Sequence, residues 1–197
     1  MTGKTIRFAE ENDAAEILSI YEPYIKDTAV TFEYETPSLD EFSQRIRNIS
    51  SQYPYIVCIS DNKIIGYAYA HRHMERAAYQ WNAELSVYIE KSCLRCGTGK
   101  ILYQALIDIL KLQNIRNVYG CVTSPNPNSE KLHEYFGFKK SGVYHNTGFK
   151  CGAWRDVIWF EKQINDHTLN PAPFLPIQYV DKKILEGILH NTCHIHP

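Results

Sequence analysis

The sequence predicts an α/β (α+β) domain, because apolar residues recur at two different periods along the chain. Stretches in which apolar and polar residues alternate, as in strands, are separated by stretches with the period of an amphipathic helix. The length of 197 residues and the hydrophobic content of 44% are typical of one globular domain with a substantial core. We therefore expect a single folded domain, and we take its elements in order along the chain.

The chain begins with a predicted strand at Thr5–Ala9 and continues with two predicted helices. Both helices open at a capping box, in which the first side chain accepts a hydrogen bond from the third amide of the helix. The two boxes are Asp13-Ala-Ala-Glu16 and Ser38-Leu-Asp-Glu41. We predict that the first helix is broken near Pro23, since proline removes a hydrogen bond from the helix interior.

A hairpin and a β-α-β-α-β-β series are predicted for the rest of the domain. The strands Tyr55–Ser60 and Lys63–His71 flank Asp61-Asn62, a pair suited to a two-residue turn. The later elements are a strand at Ala83–Glu90, a helix at Lys100–Leu112, a strand at Val118–Val122, a helix at Ser129–Phe136, and strands at Gly142–Phe149 and Arg155–Lys162.

The last segment, residues 165–197, is predicted to be an extension to a domain of residues 1–164. It contains the scattered prolines Pro171, Pro173 and Pro176 and little periodicity. Four apolar side chains lie within it, at Ile184, Leu185, Ile188 and Leu189. The sequence leaves three alternatives open for them: packing on the domain, packing on a partner subunit, or weak order.

Charge and composition exclude several function classes. The 21 basic and 22 acidic residues give a net charge of −1, so no overall field favours nucleic acid or an anionic membrane. The sequence has neither an apolar run of membrane-spanning length nor a signal-peptide hydrophobic region. We expect a cytoplasmic protein with no nucleic-acid partner and no membrane partner.

No metal site is predicted, because no group of ligand-type residues has a complete zinc pattern. The candidate groups are Cys93-x-x-Cys96, His71-Arg72-His73, and the terminal set His190, Cys193, His194 and His196. The six cysteines are too few for a disulfide scaffold and are expected to be reduced.

The most informative motif lies between a predicted strand and a predicted helix, at Leu94-Arg95-Cys96-Gly97-Thr98-Gly99-Lys100. Two glycines one residue apart let backbone amides converge, and the N-terminus of the following helix favours a phosphate oxygen. The alternative is an ordinary tight turn. The motif lacks the further glycine of a P-loop and that of a dinucleotide-binding loop, since Leu94 and Leu102 occupy those positions.

This loop resembles the acyl-CoA pyrophosphate loop of the GCN5-related N-acetyltransferase (GNAT) superfamily. That loop has Gln or Arg three residues before the first glycine, whereas Leu94 stands there in this sequence and Arg95 follows one residue later. We therefore expect a cradle of backbone amides with Arg95 and Lys100 nearby.

The resemblance extends from about Ile6 to about Gln163 and narrows to the phosphinothricin acetyltransferase-like branch. It implies a mixed, mostly antiparallel sheet with a V-shaped opening for acetyl-CoA. The matching runs are Tyr53-Pro54-Tyr55, Gly66-Tyr67-Ala68-Tyr69-Ala70, Ala78-Tyr79-x-Trp81, Glu84-x-Ser86-Val87-Tyr88-Ile89, Leu132-His133-Glu134 with Gly137-Phe138, and Gly148-Phe149-Lys150-x-Gly152-x-Trp154-x-Asp156-Val157.

The resemblance implies two catalytic residues. Glu84 stands where this branch has its proposed general base, and the alternative is a structural glutamate paired with an arginine. His133 stands where the wider superfamily has a tyrosine that protonates the departing thiolate. An imidazole titrates near neutral pH and can do the same, although a lone histidine on a short helix can equally be a packing residue.

The cofactor-binding residues implied by the resemblance lie on three elements. The strand residues Val87, Tyr88 and Ile89 are expected to bind the pantetheine arm through their main chain, although Tyr88 can also be a packed strand aromatic. The other members are Arg95, Cys96, Gly97, Thr98, Gly99, Lys100, Asn126 and Ser129. Asn126 and Ser129 can also serve as turn and capping residues.

The acceptor side implied by the resemblance consists of Phe32, Arg76, Tyr79 and Ser86, with Arg76 suited to gripping a carboxylate or phosphinate. The expected reaction is direct acetyl transfer from acetyl-CoA, without a metal, to the α-amine of a small amino-acid analogue of the phosphinothricin, methionine sulfoximine or methionine sulfone type. The alternatives are acetylation of a protein or peptide and a non-catalytic CoA-binding regulatory module. The family also implies a homodimer, with the last two strands near the subunit contact.

Overall fold

The computed structural model describes residues 3–195, and the side chains of residues 3–192. Seven strands form one sheet in the order β1-β2-β3-β4-β5-β7-β6. The strands are β1 (Thr5–Phe8), β2 (Tyr55–Ser60), β3 (Lys63–Arg72), β4 (Asn82–Ile89), β5 (Asn117–Ser124), β6 (Lys139–Lys150) and β7 (Ala153–Gln163). The helices are α1 (Ala14–Asp27), α2 (Leu39–Ser50), α3 (Thr98–Leu112), α4 (Pro127–Tyr135) and α5 (Lys182–Ile195).

The sheet is mixed and mostly antiparallel, as predicted. Every neighbouring pair of strands is antiparallel except β4 and β5, which run parallel. The connection between these two strands contains α3, as a parallel crossover requires. The fold class expected from the sequence is confirmed.

Helices cover both faces of the sheet, and alternate residues of β2 show how the faces divide. Tyr55 and Val57 point to the face covered by α1 and α2, where they join one buried cluster. Ile56 and Cys58 point to the face covered by α3 and α5 and join a second, larger cluster. This alternation is the period of two expected of a strand buried on both sides.

The hairpin predicted at Asp61-Asn62 is confirmed. Ser60 pairs with Lys63 across the turn, and Asp61 and Asn62 have φ angles of 50° and 59°. Two consecutive residues with positive φ form the primed turn whose twist matches that of the flanking strands.

Two local predictions about α1 are wrong. The helix is not broken near Pro23 but continues through it to Asp27. Buried side chains on both sides of the proline, among them Ile20 and Ile25, hold the helix in place. Asp13 does not cap the helix either, because its carboxylate binds Arg7 at 2.6 and 2.7 Å and accepts from the Glu10 amide.

The predicted N-cap of α2 is confirmed, since Ser38 Oγ accepts from the Glu41 amide at 3.2 Å.

The segment after residue 164 packs on the domain. The Gln113 side chain is fully buried and donates to the carbonyls of Gln52 and Leu175. The Trp81 indole donates to the carbonyl of Ala172 at 2.8 Å. Leu185 and Leu189 of α5 then join the core cluster beneath α3. Of the three alternatives that the sequence left open, the structure shows the first.

Candidate active site

The sheet opens where β4 and β5 separate. The parallel pairs are Asn82 with Asn117, Ala83 with Val118 and Glu84 with Tyr119, and pairing ends there. On its other side, β4 stays paired with β3 as far as Ile89. The last five residues of β4 therefore have one edge without a strand partner, which is the V-shaped opening expected from the sequence.

Main-chain groups of β4 face this opening. The Glu90 amide donates to Ile65 in β3, and main-chain hydrogen bonds of a strand alternate in direction. Val87 and Ile89 therefore direct their N–H and C=O groups away from β3, into the opening. At Ile89 these groups meet the Tyr24 hydroxyl, which donates to the carbonyl at 2.6 Å.

The glycine loop forms the N-terminus of α3 opposite this strand edge. Gly97 has a φ of 80°, in the left-handed region that glycine adopts without strain. The amides of Lys100 and Ile101 bond back to the Gly97 carbonyl, whereas those of Thr98 and Gly99, at the first turn, have no acceptor within the helix. Together with the helix dipole, these amides make a site that favours an anion.

A cavity of about 560 Å³ joins the strand edge to the helix N-terminus. Its lining contains eight of the eleven residues expected to bind the cofactor: Val87, Ile89, Arg95, Gly97, Gly99, Lys100, Asn126 and Ser129. The sequence analysis did not assign cofactor contacts to six further lining residues, Tyr24, Val30, Leu94, Asn128, Lys131 and Leu132. Tyr24 and Val30 reach the cavity from the first helical region through tertiary packing, for which the local sequence carries no signal.

Three expected cofactor residues do not line the cavity. The Tyr88 ring packs against those of Tyr21 and Tyr24, with centroids 4.8 and 5.2 Å away. Thr98 is buried, and Cys96 is exposed with its carbonyl bonded to Lys4.

Glu84 lies where the opening begins, with two histidines beside it. Its carboxylate is 3.6 Å from His73 Nδ1 and 4.0 Å from His71 Nε2. The alternative of a structural glutamate paired with an arginine is not observed, since the ion pairs of residues 3–192 include none between Glu84 and an arginine.

The His73 ring is fixed in place by aromatic neighbours. It stacks on Tyr119 with centroids 4.2 Å apart and meets Trp159 edge-on at 5.4 Å. Its Nδ1 is buried and has no hydrogen-bond partner, and it faces the Glu84 carboxylate. The sequence carries a signal for the contact between His73 and Glu84. His71 pairs with Glu84 across the two strands, and His73, two residues further on, is an alternate residue of the same run and points to the same face.

His133 lies in the interior and is not part of the cavity lining. It is 3% exposed, its Nδ1 bonds to the Ser129 carbonyl at 2.8 Å, and its Nε2 bonds to the Tyr103 hydroxyl at 2.9 Å. The carbonyl fixes the proton on Nδ1, so Nε2 accepts from the tyrosine. Its ring stacks on Phe160, on the face of the sheet opposite to Trp159 and Glu84.

The residues expected on the acceptor side are not all brought together. Phe32 lies directly over Gly148 of β6, since a Cβ added there would be 2.3 Å from the ring. Ser86 lies on β4 opposite Tyr69. Arg76 and Tyr79 are exposed in the connection before β4 and do not line the 560 Å³ cavity.

No group of three or more His, Cys, Asp or Glu among the described residues could hold a metal ion. Of the terminal ligand-type set, the side chains of Cys193 and His194 and all of His196 lie outside the described residues.

None of the helices within residues 3–195 is long and apolar enough to cross a membrane.

The free strand edge and the anion-favouring helix N-terminus in one cavity are those of an enzyme that transfers an acyl group from an acyl-CoA. A family model described as an acetyltransferase (GNAT) domain matches residues 6–159. The chain belongs to the GNAT family, and acetyl-CoA is its co-substrate.

The relatives place the chain in the phosphinothricin acetyltransferase-like branch. It is 31% identical over 175 residues to a phosphinothricin N-acetyltransferase of Streptomyces viridochromogenes, covering 89% of this chain and 93% of that protein. It is 27% identical to an L-methionine sulfoximine/L-methionine sulfone acetyltransferase of Salmonella typhimurium, covering 85% and 99%. A crystal structure of a GNAT superfamily phosphinothricin acetyltransferase from Sinorhizobium meliloti with acetyl-CoA superposes with a TM-score of 0.82 at 29% identity, covering 90% and 99%.

Proposed function

We propose that the protein transfers the acetyl group of acetyl-CoA to the α-amine of a small amino-acid analogue of the phosphinothricin, methionine sulfoximine or methionine sulfone type. The observation that carries the proposal is the position of Glu84, the last residue of β4 paired with β5, at the point where the two strands separate. The names of the relatives support the acceptor class.

In the proposed mechanism, Glu84 is the general base. An α-amine with a pKa of about 8 is mostly protonated at neutral pH, and only its neutral form attacks a thioester. The Glu84 carboxylate accepts the proton, directly or through a water molecule, while the amine nitrogen forms the new amide bond. The carbon–sulfur bond breaks, and the sulfur leaves as the thiolate and takes a proton from solvent.

Acetyl-CoA supplies the activated acetyl group when it is bound, and the residues of this cavity fit it. We assign its anionic part to the Gly99 amide at the N-terminus of α3, with Arg95, Lys100 and Lys131 adding positive charge. The open edge of β4 supplies main-chain groups for its amide-containing arm. An amide on this edge also offers a fixed dipole to the oxygen on which charge develops.

The structure supports the proposed roles of His133 and the acceptor-side residues to different extents. The assignment of His133 as general acid stays a prediction, and its two internal hydrogen bonds favour a structural role. We keep Phe32 and Ser86 as acceptor contacts. Arg76 and Tyr79 are solvent-exposed in this chain, and their contact with the acceptor stays a prediction.

We also propose a homodimer in which β6 and β7 lie near the subunit contact. Exposed aromatic side chains support this proposal. Phe149 and Trp154 are 48% and 61% exposed on these two strands, with ring centroids 5.5 Å apart, and neighbouring exposed aromatics mark interaction surfaces.

The first experiment is acetyl-CoA turnover, measured by thiol release against phosphinothricin, methionine sulfoximine, methionine sulfone, a polyamine and a peptide. We expect turnover of the amino-acid analogues and loss of about 10²- to 10⁴-fold in kcat for Glu84→Gln. Glu75→Gln is the matched control, since the Glu75 side chain is 95% exposed and paired with Arg72 at 3.8 Å.

Each outcome decides a separate part of the proposal. Turnover of the peptide alone would replace the acceptor class by a protein or peptide. CoA binding without turnover of any amine would favour the regulatory module. Equal kcat for Glu84→Gln and the wild type would remove the proposed base and leave the acceptor assignment standing.

A further inference from the structure

The carboxylate that we propose as the base has a histidine ring beside each of its two oxygens. His73 Nδ1 lies 3.6 Å from Glu84 Oε2, and His71 Nε2 lies 4.0 Å from Glu84 Oε1. Both rings come from the end of β3, since His71 is the cross-strand partner of Glu84 and His73 follows two residues later. The proposed mechanism uses neither ring, although an imidazole exchanges protons near neutral pH.

The two rings differ in what they are free to do. His73 is held by Tyr119 and Trp159, its side chain is 11% exposed, and its Nδ1 is buried. It therefore confines the carboxylate from one side and has little contact with solvent. The His71 side chain is 37% exposed, so a proton on this ring has a route to water.

A hydrogen bond fixes the tautomer of His71. Its Nδ1 lies 2.9 Å from the Arg72 carbonyl oxygen. A carbonyl only accepts, so Nδ1 donates and carries the proton. In the neutral ring Nε2 then has a lone pair, and this nitrogen faces Glu84. Neutral His71 is therefore set to accept a proton from the carboxyl group.

Reference pKa values show why a second proton acceptor behind the carboxylate matters. An α-ammonium group has a pKa of about 8, an imidazole about 6.5 and a glutamic acid about 4.3. Transfer of the proton from the amine to a carboxylate alone is therefore unfavourable by about 5,000-fold. Transfer onward to an imidazole reduces this to about 30-fold. A glutamate backed by a neutral histidine is thus a stronger base near neutral pH than a glutamate alone.

In the described part of the chain, the groups around Glu84 other than the histidines keep one protonation state near neutral pH. Desolvation raises the pKa of the hydroxyl and thiol groups, which are Tyr69 in β3, Tyr103 in α3, and Tyr119 and Cys121 in β5. The charged neighbours keep their charge between about pH 5.5 and about pH 8. They are Glu161, which pairs with Tyr119 from β7, and Glu33 and Arg45, which pair with each other at 2.8 Å and act on Tyr69.

We propose that His71 takes the substrate proton from Glu84 and returns it to solvent, so that the two side chains act together as the base. The inference rests on the proposed function, in which an α-ammonium group must lose a proton. Its N–H bond breaks as an O–H bond forms on Glu84. That O–H bond then breaks as His71 Nε2 takes the proton, which restores the carboxylate. The imidazolium gives the proton to water and is neutral again for the next turnover.

The relay needs a small movement of the His71 side chain. The distance of 4.0 Å between Nε2 and Oε1 must shorten by about 1 Å to reach a hydrogen-bond distance. Catalytic hydrogen bonds are often long before the substrates bind and tighten in the complex. The exposed edge of the His71 ring allows this rotation, whereas His73 confines Glu84.

The first test is the pH dependence of kcat in His71→Gln, measured by thiol release with methionine sulfone. We expect kcat at pH 7 to fall about 10- to 100-fold and the KM of both substrates to change by less than about threefold. The acid limb of the profile should move from about pH 6.5 to about pH 4.5, from the range of an imidazole to that of a carboxylate. His145→Gln is the matched control and should leave the profile unchanged, because His145 is 74% exposed and also contacts a carboxylate, that of Asp156 at 3.0 Å.

Added imidazole provides a second arm. In His71→Ala, imidazole that enters at the exposed position should raise kcat about tenfold. It should have no effect on Glu84→Gln, which lacks the group that passes the proton on. A purely structural role of His71 would not respond to a free base. An acid limb of His71→Gln at the wild-type position, together with no response of His71→Ala to imidazole, overturns the inference.

A measurement without turnover separates this inference from the proposed function. The NMR signal of the His71 ring, identified by its absence in His71→Gln, gives the pH at which the ring is half protonated. Removal of the Glu84 charge 4.0 Å away should lower this pH by about 0.7 unit in Glu84→Gln. That shift supports the pair even where no amine of the panel is acetylated, a result that refutes the proposed function alone. Equal midpoints in the wild type and Glu84→Gln overturn the inference, whatever the panel gives.

Discussion

At the scale of single residues, the surroundings of His133 determine what its imidazole can do. Aromatic rings pack around it, and burial lowers its pKa below the ordinary value of 6.5. Gly120 is required beside it, because a Cβ at that position would lie 2.0 Å from Nε2. The motif that contains His133 is readable in the sequence, and its partner Ser129 lies on the same helix, whereas its burial and its contact with Tyr103 depend on α3, β5 and β7.

Replacing His133 by phenylalanine separates a structural role from a catalytic one. Phenylalanine keeps the stacking on Phe160 and removes both hydrogen bonds. We expect a loss of about 1–3 kcal/mol in the free energy of unfolding, with kcat within a few-fold of the wild type. Urea unfolding and thiol-release kinetics measure the two effects, with Tyr103→Phe as the control that removes one bond. A kcat about 100-fold lower in a folded, CoA-binding variant would instead establish His133 as the general acid.

The same imidazole makes stability depend on pH. Its pKa is lowered in the folded state, so around pH 6.5 the unfolded chain binds more protons at this group than the folded protein does. The free energy of unfolding should therefore fall as the pH drops below about 6.5, and this contribution should be constant above that pH. Urea unfolding between about pH 5.5 and about pH 7.5 measures the slope. His133→Phe should show a smaller slope than the wild type, and an unchanged slope would contradict this assignment.

Residues of the candidate site differ in how far the sequence predicts them. Val87, Ile89 and the glycines occupy the cofactor cavity because their positions follow from one strand and one helix start. Tyr24 and Val30 could not be found in this way, since they reach the cavity from a distant part of the chain. Local pattern identifies groups within one element, and only tertiary packing shows which distant groups they meet.

At the scale of elements, the seven strands and helices α1 to α4 were predicted with the correct type, most of their ends were misplaced, and helix α5 was not predicted. Strand β6 begins at Lys139 and β7 at Ala153, both earlier than predicted. The pairing of β6 with β7 has register shifts, and both strands have exposed or half-buried residues at their starts. The alternation of apolar and polar residues is therefore weak there. Helix α1 passes through Pro23 because its buried face stabilises it more than one lost hydrogen bond weakens it.

Helix α5 should contribute strongly to stability through its buried leucines. Leu185 is 5% exposed, and truncation to alanine removes core contacts against α3. We expect Leu185→Ala to lower the free energy of unfolding by about 2–5 kcal/mol. Ile184→Ala is the matched control, since Ile184 is 52% exposed and its truncation should change the free energy by less than about 0.5 kcal/mol. Urea midpoints compare the two, and equal midpoints would show that α5 is dispensable for folding.

At the scale of the whole molecule, the proposed dimer determines which surfaces face solvent. Light scattering should give twice the chain mass of 22.8 kDa. Trp154→Glu places a charge on the exposed aromatic surface of β7 and should shift the mass to that of one chain. Tyr179→Glu is the control, because Tyr179 is 68% exposed in a different part of the molecule. A wild-type protein with the mass of a single chain would refute the dimer.

The open edge of β4 also couples folding to metabolism. The Tyr24 hydroxyl meets the main-chain groups of Ile89, whereas the Val87 groups face the opening, where a ligand can pair with them. A ligand that binds only the folded state stabilises it by RT ln(1 + [L]/Kd). At a cofactor concentration one hundred times the Kd, this contribution is about 2.7 kcal/mol. The survival of the enzyme against unfolding and proteolysis is thereby linked to the supply of the acetyl donor that it consumes.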